Sequence, residues 1–221
     1  MLEDGSVYEG TARGDFKETA CEIVFNTSMT GYVEILTDPS YAGQGVVMTY
    51  PMIGNYGISR EDFESERLQP SAFIVHELSS DPSNFRCTDT IENLLKEYNI
   101  PCISGVDTRT VVKKLRESGT MRGVLTSDIG DRERLMDVIK SFRQIDLVGS
   151  VTAKQTKVYG EENTGAEIAL MDFGTKRNII NNLVKRNCIV TVYPSFTSAD
   201  EIIKTSPDGI MLSNGPGDPS E

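Results

Sequence analysis

The feature that most limits the fold is an alternation of strands and helices in the last quarter of the chain. The predicted order is strand, helix, strand, helix, strand, at 168–173, 175–186, 188–193, 198–206 and 209–214. Such an alternation forms a parallel sheet, because each helix returns the chain to the start of the next strand. A parallel sheet is covered on both faces, and two helices leave one face bare. We therefore expect residues 166–221 to be the first part of a doubly wound α/β domain that is incomplete.

The preceding residues divide into a second predicted domain and a linker. Residues 1–149 predict a β-rich α/β domain with covering helices. Its predicted strands are 7–10, 22–26, 46–50, 72–77, 103–106 and 123–126, and its predicted helices are 88–99, 107–118 and 131–142. Between Phe25 and Tyr56, the turn-forming residues Asn, Thr, Ser, Gly and Pro favour exposed turns over a buried core. Residues 150–165 are polar and end in Gly165, which predicts a linker.

The balance of charge excludes several kinds of partner. The chain has 22 Lys and Arg residues against 33 Asp and Glu residues, a net charge of −11. Nucleic acids and anionic membranes bind clustered basic residues, so we expect binding to neither. No apolar run approaches the roughly 20 residues that span a bilayer. The segment Met1-Leu2-Glu3-Asp4-Gly5 lacks the basic and apolar regions of a signal peptide, so we expect a cytoplasmic protein.

The few thiols and the single imidazole limit the chemistry. Cys21, Cys87, Cys102 and Cys188 are widely spaced, without a Cys-x-x-Cys motif, and His76 is the one histidine of the sequence. A zinc site needs a tighter set of ligands, so we interpret the cysteines as reduced thiols that pack as small apolar residues. Any mechanism that uses histidine must therefore use His76 or residues outside this chain.

A turn at the carboxyl end of the last predicted strand is the strongest local signal of a site. It runs from Leu212 to Pro219 with the sequence Leu-Ser-Asn-Gly-Pro-Gly-Asp-Pro. Ligands of open α/β sheets bind at this end of the strands. The glycines let backbone N–H groups approach a carboxylate or a developing oxyanion, and the prolines stiffen the turn. The alternative is a rigid connecting turn without a ligand. A phosphate loop is excluded, because the chain lacks a G-x-x-x-x-G-K-[ST] motif.

Together these residues resemble a known family. The terminal turn and the segment Asp-Phe-Gly-Thr-Lys-Arg-Asn at 172–178 resemble the small subunit of glutamine-dependent carbamoyl phosphate synthetase. The turn alone suggests only a class I glutamine amidotransferase. The first predicted domain makes the resemblance more specific, because several of its segments look like the amino-terminal domain of the same subunit. These segments are 25–32, 34–41, 49–51, 53–57, 83–86 and 107–109.

The resemblance implies a division of labour between two subunits. The small subunit hydrolyses glutamine to glutamate and ammonia, and a large synthetase subunit uses the ammonia, with bicarbonate and ATP, to make carbamoyl phosphate for arginine and pyrimidine synthesis. ATP and magnesium are therefore expected on the large subunit, and no cofactor is expected in this chain. The residues that match the family's glutamine contacts are Ser40, Gly215 and Gly217. The amide of Gly215 would also help to stabilise the tetrahedral oxyanion. Ser40 would reach across from the first domain, and the alternative role for its side chain is to cap the turn at Asp38-Pro39.

The chain also departs from the family pattern. The family's nucleophilic cysteine lies in a Gly-x-Cys-x-Gly turn, expected beyond Glu221, and its histidine and glutamate follow, so no catalytic residue is predicted within the sequence. We therefore expect the 221 residues to be inactive alone. The alternative function is a non-catalytic module that binds the large subunit through residues 1–149. A different amidotransferase, from nucleotide or aromatic biosynthesis, is disfavoured because such proteins share only the terminal turn. The resemblance also implies a few apolar strand residues before Leu2, so we expect a shortened first strand, since Met1 directly precedes Leu2.

Overall fold

The structure is a computed structural model that describes three stretches of the chain, 1–14, 16–144 and 146–218. They divide into two compact units. Unit 1 contains Met1–Thr37 and Gly43–Gln144, and unit 2 contains Asp38–Ala42 together with 146–218. The residues from Asp38 to Ala42, expected in the first domain, therefore cluster with the second unit.

Unit 1 is built on a mixed sheet. Its strands are β1 (Thr11–Arg13), β2 (Thr19–Asn26), β3 (Gln44–Met48), β4 (Met52–Ile53), β5 (Ala72–Ile74), β6 (Glu77–Leu78), β7 (Cys102–Ser104) and β8 (Met121–Leu125). Six of them form one sheet in the order β1-β7-β5-β3-β2-β8, and β4 and β6 pair separately. The four inner strands β2, β3, β5 and β7 run parallel to one another, whereas the edge strands β1 and β8 are antiparallel to β7 and β2.

The described part of unit 1 contains four α-helices. They are α1 (Tyr32–Thr37), α2 (Ile91–Glu97), α3 (Thr108–Ser118) and α4 (Arg132–Ser141). The last three confirm the predicted helices, and the side chains of Thr90, Asp107 and Asp131 accept a hydrogen bond from a backbone N–H of the first turn. Helices α3 and α4 pack against this sheet. They bury Leu115 and Leu135, which are 2% and 0% exposed.

Helix α1 corrects the expectation of exposed turns between residues 25 and 56. Tyr32, Val33 and Leu36 in this helix are at most 1% exposed. The ring of Tyr32 stacks on that of Tyr56, with centroids 4.1 Å apart. A composition rich in turn-forming residues indicates which backbone conformations are locally favoured, and it does not indicate whether the segment is buried against distant residues. A short buried helix is therefore possible in a segment whose composition favours turns.

The strand predicted at 7–10 is also wrong. Pairing with β7 begins only at Thr11, opposite Ser104. At Gly10 the backbone lies so close to β7 that a Cβ atom there would be 2.5 Å from the Ser104 carbonyl oxygen. The first edge strand therefore starts after the glycine.

Unit 2 confirms the parallel sheet predicted from the alternation of strands and helices. Its strands are β9 (Lys157–Tyr159), β10 (Glu167–Asp172), β11 (Ile189–Pro194) and β12 (Gly209–Leu212), and its helices are α5 (Leu147–Val151), α6 (Arg177–Val184) and α7 (Ala199–Lys204). The sheet order is β12-β10-β11-β9, and β10 is parallel to both β11 and β12. The described chain is therefore a mixed α/β protein, as predicted.

The segment predicted as a linker, 150–165, differs in the structure. Its residues Lys157–Tyr159 form β9, which pairs antiparallel with β11. β9 is an edge strand, and Val158 is 39% exposed. An edge strand with exposed side chains needs few large apolar residues, so its composition resembled that of a linker.

Helix α7 begins at the capping box that the sequence predicted. The Ser198 N–H donates to Glu201 Oε2 at 3.1 Å, and the Glu201 N–H donates to Ser198 Oγ at 3.3 Å. Both otherwise unpaired backbone donors are thereby satisfied. Within the three described stretches, no helix has the length and apolarity needed to cross a bilayer.

Candidate functional site

The candidate site lies at the carboxyl edge of the unit 2 sheet. β10 and β12 end at Asp172 and Leu212, and the loops that follow them lie on the same edge because the strands are parallel. We call the two loops, 172–176 and 213–217, together with Asp38–Ala42, the edge site. The contacts described below bring these three segments together within unit 2. Ligands of open parallel sheets bind at this edge.

Asp172 fixes the loop after β10. Its side chain is buried, and Oδ1 accepts hydrogen bonds from the N–H groups of Gly174 at 3.0 Å and Thr175 at 2.7 Å. Its Oδ2 accepts a bond from the Ala153 N–H at 2.7 Å, and its carbonyl accepts one from Thr152 Oγ1 at 2.5 Å. A carboxylate that accepts several charge-assisted bonds holds its surroundings firmly. The loop therefore has a fixed backbone.

The glycine turn after β12 is held against this loop. Ser213 Oγ accepts a hydrogen bond from the Phe173 N–H at 2.9 Å and donates one to the Asn214 carbonyl at 2.7 Å. A Cβ atom at Gly215 would lie 2.4 Å from the Phe173 carbonyl oxygen, so only glycine fits. Gly217 has φ +90°, a conformation that side chains rarely adopt. The backbone conformation of this turn therefore favours glycine at both positions. Pro219, which completes the predicted motif, lies outside the described residues.

Ser40 lies beside the glycine turn. Its Oγ accepts a hydrogen bond from Asn214 Nδ2 at 2.8 Å. The backbone N–H of Ser40 donates to Asp38 Oδ1 at 2.9 Å, so the cap on this turn is the side chain of Asp38. A hydroxyl that accepts one bond retains its own proton for donation. The structure therefore places Ser40 next to Gly215, and the role of Ser40, Gly215 and Gly217 as glutamine contacts stays a prediction.

An ion pair joins two segments of the edge site. Lys176 Nζ lies 2.7 Å from Asp38 Oδ2, and the side chain of Asp38 is only 8% exposed. The lysine compensates the charge of this buried carboxylate. Sequence reasoning missed this pair and the Asn214 amide. All three residues, Asp38, Lys176 and Asn214, lie in segments that carried the resemblance, but nothing in their spacing shows which side chains they contact.

The hydroxyl of Thr175 is the one buried side-chain polar atom without a hydrogen-bond partner among the described residues. It belongs to the edge site, between Gly174 and Lys176. A buried hydroxyl without a partner costs about 1–3 kcal/mol. A polar atom of a ligand or a water molecule would remove that cost.

The thiols and the imidazole lie outside the edge site. Cys21 and Cys102 are fully buried in strands of unit 1, and burial raises the pKa of each to about 12. The His76 Nδ1 lies 3.0 Å from the Val106 carbonyl oxygen, also in unit 1. In the described parts of the chain, His76 pairs with no cysteine, and no three His, Cys, Asp or Glu side chains come together as metal ligands. Among its described residues, the edge site has no thiol or imidazole, and the groups that it offers to a polar ligand are the Ser40 hydroxyl, the Asn214 amide and backbone N–H groups.

Two family models match the sequence. The family described as "Carbamoyl-phosphate synthase small chain, CPSase domain" matches residues 1–125. The family described as "Glutamine amidotransferase class-I" matches residues 169–221, which contain two of the three segments of the edge site.

Individual proteins are similar over the full length of this chain. It is 46% identical over 222 residues to the carbamoyl phosphate synthase small chain of Listeria monocytogenes serotype 4b. The identity is 47% with the small chain of Clostridium perfringens and 48% with that of Bacillus cereus. The alignments cover all of this chain but only 61%, 63% and 60% of the respective relatives. The chain thus spans about three fifths of the length of these curated relatives.

Proposed function

Because the chain belongs to the carbamoyl phosphate synthase small-chain family, we propose that its edge site is the glutamine-binding part of a small subunit. That subunit hydrolyses glutamine to glutamate and ammonia and delivers the ammonia to a large synthetase subunit. The observation that carries the proposal is the hydrogen bond between Ser40 and Asn214. It puts the hydroxyl expected to contact glutamine directly beside the glycine turn expected to do the same.

The chemistry of amide hydrolysis explains why such a site uses backbone groups. Attack on the carboxamide of glutamine forms a tetrahedral intermediate with a negatively charged oxygen. A backbone N–H that is already fixed stabilises this charge without reorganisation. The turn at Gly215 is fixed in this way by Ser213, whose hydroxyl oxygen accepts a hydrogen bond from the Phe173 N–H. In the proposal, Ser40 and Gly217 hold the substrate, and the N–H of Gly215 donates to the oxyanion.

We also propose that residues 1–221 alone do not turn over glutamine. A thiol nucleophile needs a general base within hydrogen-bond reach and a lowered pKa. Cys21 and Cys102 have the opposite property, since burial raises the pKa of each to about 12. The nucleophilic cysteine, the histidine and the glutamate of the family are expected outside these 221 residues.

The same proposal assigns the remaining chemistry to the large subunit. ATP, magnesium and bicarbonate would bind there, and the product, carbamoyl phosphate, would supply arginine and pyrimidine synthesis in the cytoplasm. A non-catalytic module that binds the large subunit is the second candidate function. The match of residues 1–125 to the small-chain domain and the separate sheet of unit 1 favour it. The two functions are compatible, because they use different units.

Equilibrium dialysis with radiolabelled L-glutamine tests the binding function. We expect the unaltered chain to bind in the millimolar range and Ser40→Ala to weaken binding about tenfold, the effect of losing one hydrogen bond to a polar ligand. Ser206→Ala, in the turn after α7 and outside the edge site, is the matched control and should bind like the unaltered chain. Equal binding by Ser40→Ala would contradict the proposed site.

A glutaminase assay tests the proposed inactivity. We expect no glutamate production by residues 1–221, with or without the large subunit. Glutamate production that persists after serine replaces all four cysteines would overturn the argument from the thiols.

A further inference from the structure

Three motifs of the sequence lie in unit 1 and have no part in the edge site. They are the segments 26–32, 53–57 and 83–86, which lie within the segments that carried the family resemblance. The structure brings them together into one group of loops beside the sheet of unit 1, as the contacts below show. We call these three segments the loop cluster. Loops held on a rigid scaffold are where proteins commonly place binding residues.

Two tyrosines lock the first two segments of the loop cluster together. The Tyr56 hydroxyl accepts hydrogen bonds from the N–H groups of Gly31 at 2.6 Å and Tyr32 at 3.1 Å. The Tyr32 hydroxyl donates to the Gly57 carbonyl at 2.8 Å. The two rings also stack, with an interplanar angle of 19°. These contacts give the loops a fixed conformation, although they contain no long element of regular structure.

The third segment is fixed from both sides of its turn. The Ser83 N–H donates to the Asn55 carbonyl at 2.9 Å, and the Arg86 N–H donates to Asn84 Oδ1 at 2.8 Å. The Arg86 guanidinium contacts Asp62 Oδ1 at 2.6 Å and Glu61 Oε2 at 3.2 Å. The turn is therefore a rigid support for the residue at its tip.

That residue is Phe85, which is 96% exposed. Met29, in the first segment of the loop cluster, is 70% exposed. A phenylalanine ring carries a large apolar surface, and a rigid turn lowers the entropic cost of burying it against another molecule. Aromatic residues and methionine are enriched in protein interfaces, where a few buried aromatic anchors carry most of the binding energy. The loop cluster thus presents such an anchor to solvent in an already fixed position.

The charges around Phe85 define the chemistry of a partner. The Glu61 side chain is 83% exposed, and Asp81, on the other side of the turn in sequence, is also exposed. Arg86 is already paired with Glu61 and Asp62. A complementary surface therefore has an apolar pocket for the ring, with lysine or arginine side chains at its rim.

We infer that the loop cluster is the surface through which unit 1 binds the large synthetase subunit, with Phe85 inserted into an apolar pocket that has a basic rim. This inference rests on the proposed function, which supplies the large subunit as the partner. It adds the location of the contact, its anchor residue and the charge of the facing surface. The edge site for glutamine remains in unit 2, so the two sites can be altered separately.

Titration of the 221-residue chain with the purified large synthetase subunit of the same organism tests the inference. We expect Phe85→Ala to raise Kd by about 30-fold or more, the size of an interface anchor. Phe85→Tyr keeps the ring and should stay within about threefold of the unaltered chain. Phe196→Ala removes another largely exposed phenylalanine, in unit 2, and should change Kd by less than about twofold. Neutralising Asp81 with Asp81→Asn should slow association and weaken its dependence on salt.

We expect the Phe85 variants to fold, because Phe85 is almost fully exposed, and an unchanged urea midpoint checks this. Tight binding by the unaltered chain with an equal Kd for Phe85→Ala would overturn the inference and leave the proposed function standing. No binding by the unaltered chain would overturn both the proposed partner and this inference. A loss of affinity in Phe196→Ala equal to that in Phe85→Ala would also overturn the inference that Phe85 is the anchor.

Discussion

Unit 1 and unit 2 bury their apolar side chains to different extents. The largest fully buried side chains of the described residues, except Leu170, all belong to unit 1. Unit 2 has a smaller buried core and exposes Ile203, Ile210 and Leu212 by more than half of their surface. The stability of unit 1 therefore comes from tightly packed side chains, whereas unit 2 holds its site through hydrogen bonds and glycine backbone.

This difference explains where each unit places its proposed binding residues. In unit 1 the proposed anchor is a side chain, Phe85, on a turn that hydrogen bonds and ion pairs hold in place. In unit 2 the proposed binding groups are backbone N–H groups and the hydroxyl of Ser40, at the end of a sheet. Substitutions should therefore act through packing in unit 1 and through backbone geometry and charge in unit 2.

The largest effect is expected for the core of unit 1. Phe73→Ala should lower the free energy of unfolding by about 3–5 kcal/mol, because the ring is fully buried in the central strand β5. Phe196→Ala in unit 2 should change it by less than about 0.5 kcal/mol, since this ring is 75% exposed. Urea unfolding followed by circular dichroism measures both. Similar losses in the two variants would contradict the difference in packing.

Gly215→Ala should have the next largest effect, in unit 2. The added Cβ would lie 2.4 Å from a backbone oxygen, so the turn must move, at a cost of about 1–3 kcal/mol. Gly209→Ala is the control within the same unit. Its Cβ would meet only the end of the Ile168 side chain, at 3.3 Å, and the change should stay within about 0.5 kcal/mol. Equal losses of stability in the two variants, measured by thermal unfolding, would show that the close approach at Gly215 does not require glycine.

Lys176→Met should cost about 1–2 kcal/mol, because it leaves the buried carboxylate of Asp38 without its cation. The lysine side chain is 39% exposed, so solvent screens the pair and the loss stays below that of a fully buried pair. The double variant Asp38→Asn, Lys176→Met removes the charge as well and should regain part of the loss. A double variant less stable than Lys176→Met would show that the carboxylate does not need the lysine.

The smallest effect is expected for an exposed ion pair of unit 1. Hydrogen bonds from Arg134 and Thr126 lower the pKa of Glu18 from 4.5 to about 2. Since the folded state favours the carboxylate, this stabilisation is fully present above pH 4.5 and is lost as the pH falls toward 2. Both side chains of the ion pair are more than a third exposed, so Glu18→Gln should cost less than about 1 kcal/mol at pH 7. The difference in unfolding free energy between Glu18→Gln and the unaltered chain should shrink on acidification. A difference that grows would contradict the lowered pKa of Glu18.

The sequence predicted the parts of this molecule that depend on local patterns. Three strands of unit 2, β10, β11 and β12, and the helices α6 and α7 follow from periodicity, and the start of α7 follows from its capping box. Helix α1 could not be predicted, because its burial depends on Tyr56, far along the chain. Local patterns do not place Ser40 beside Asn214, 174 positions away, and the expectation that Ser40 reaches across from the first domain came from the family resemblance. Ser40, Gly215 and Gly217 were identified through the family resemblance, whereas the Lys176–Asp38 pair needed the structure.

The most direct test of the division between the units is a titration of the ¹⁵N-labelled chain with L-glutamine, followed by amide NMR shifts. We expect shifts at Ser40, Gly215 and Gly217 in unit 2, and none at Gly31 or Phe85 in the loop cluster. D-glutamine at the same concentration should give much smaller shifts, because the edge site is a fixed chiral surface. Shifts centred in unit 1, or a spectrum of unit 2 that L-glutamine leaves unchanged, would contradict the account.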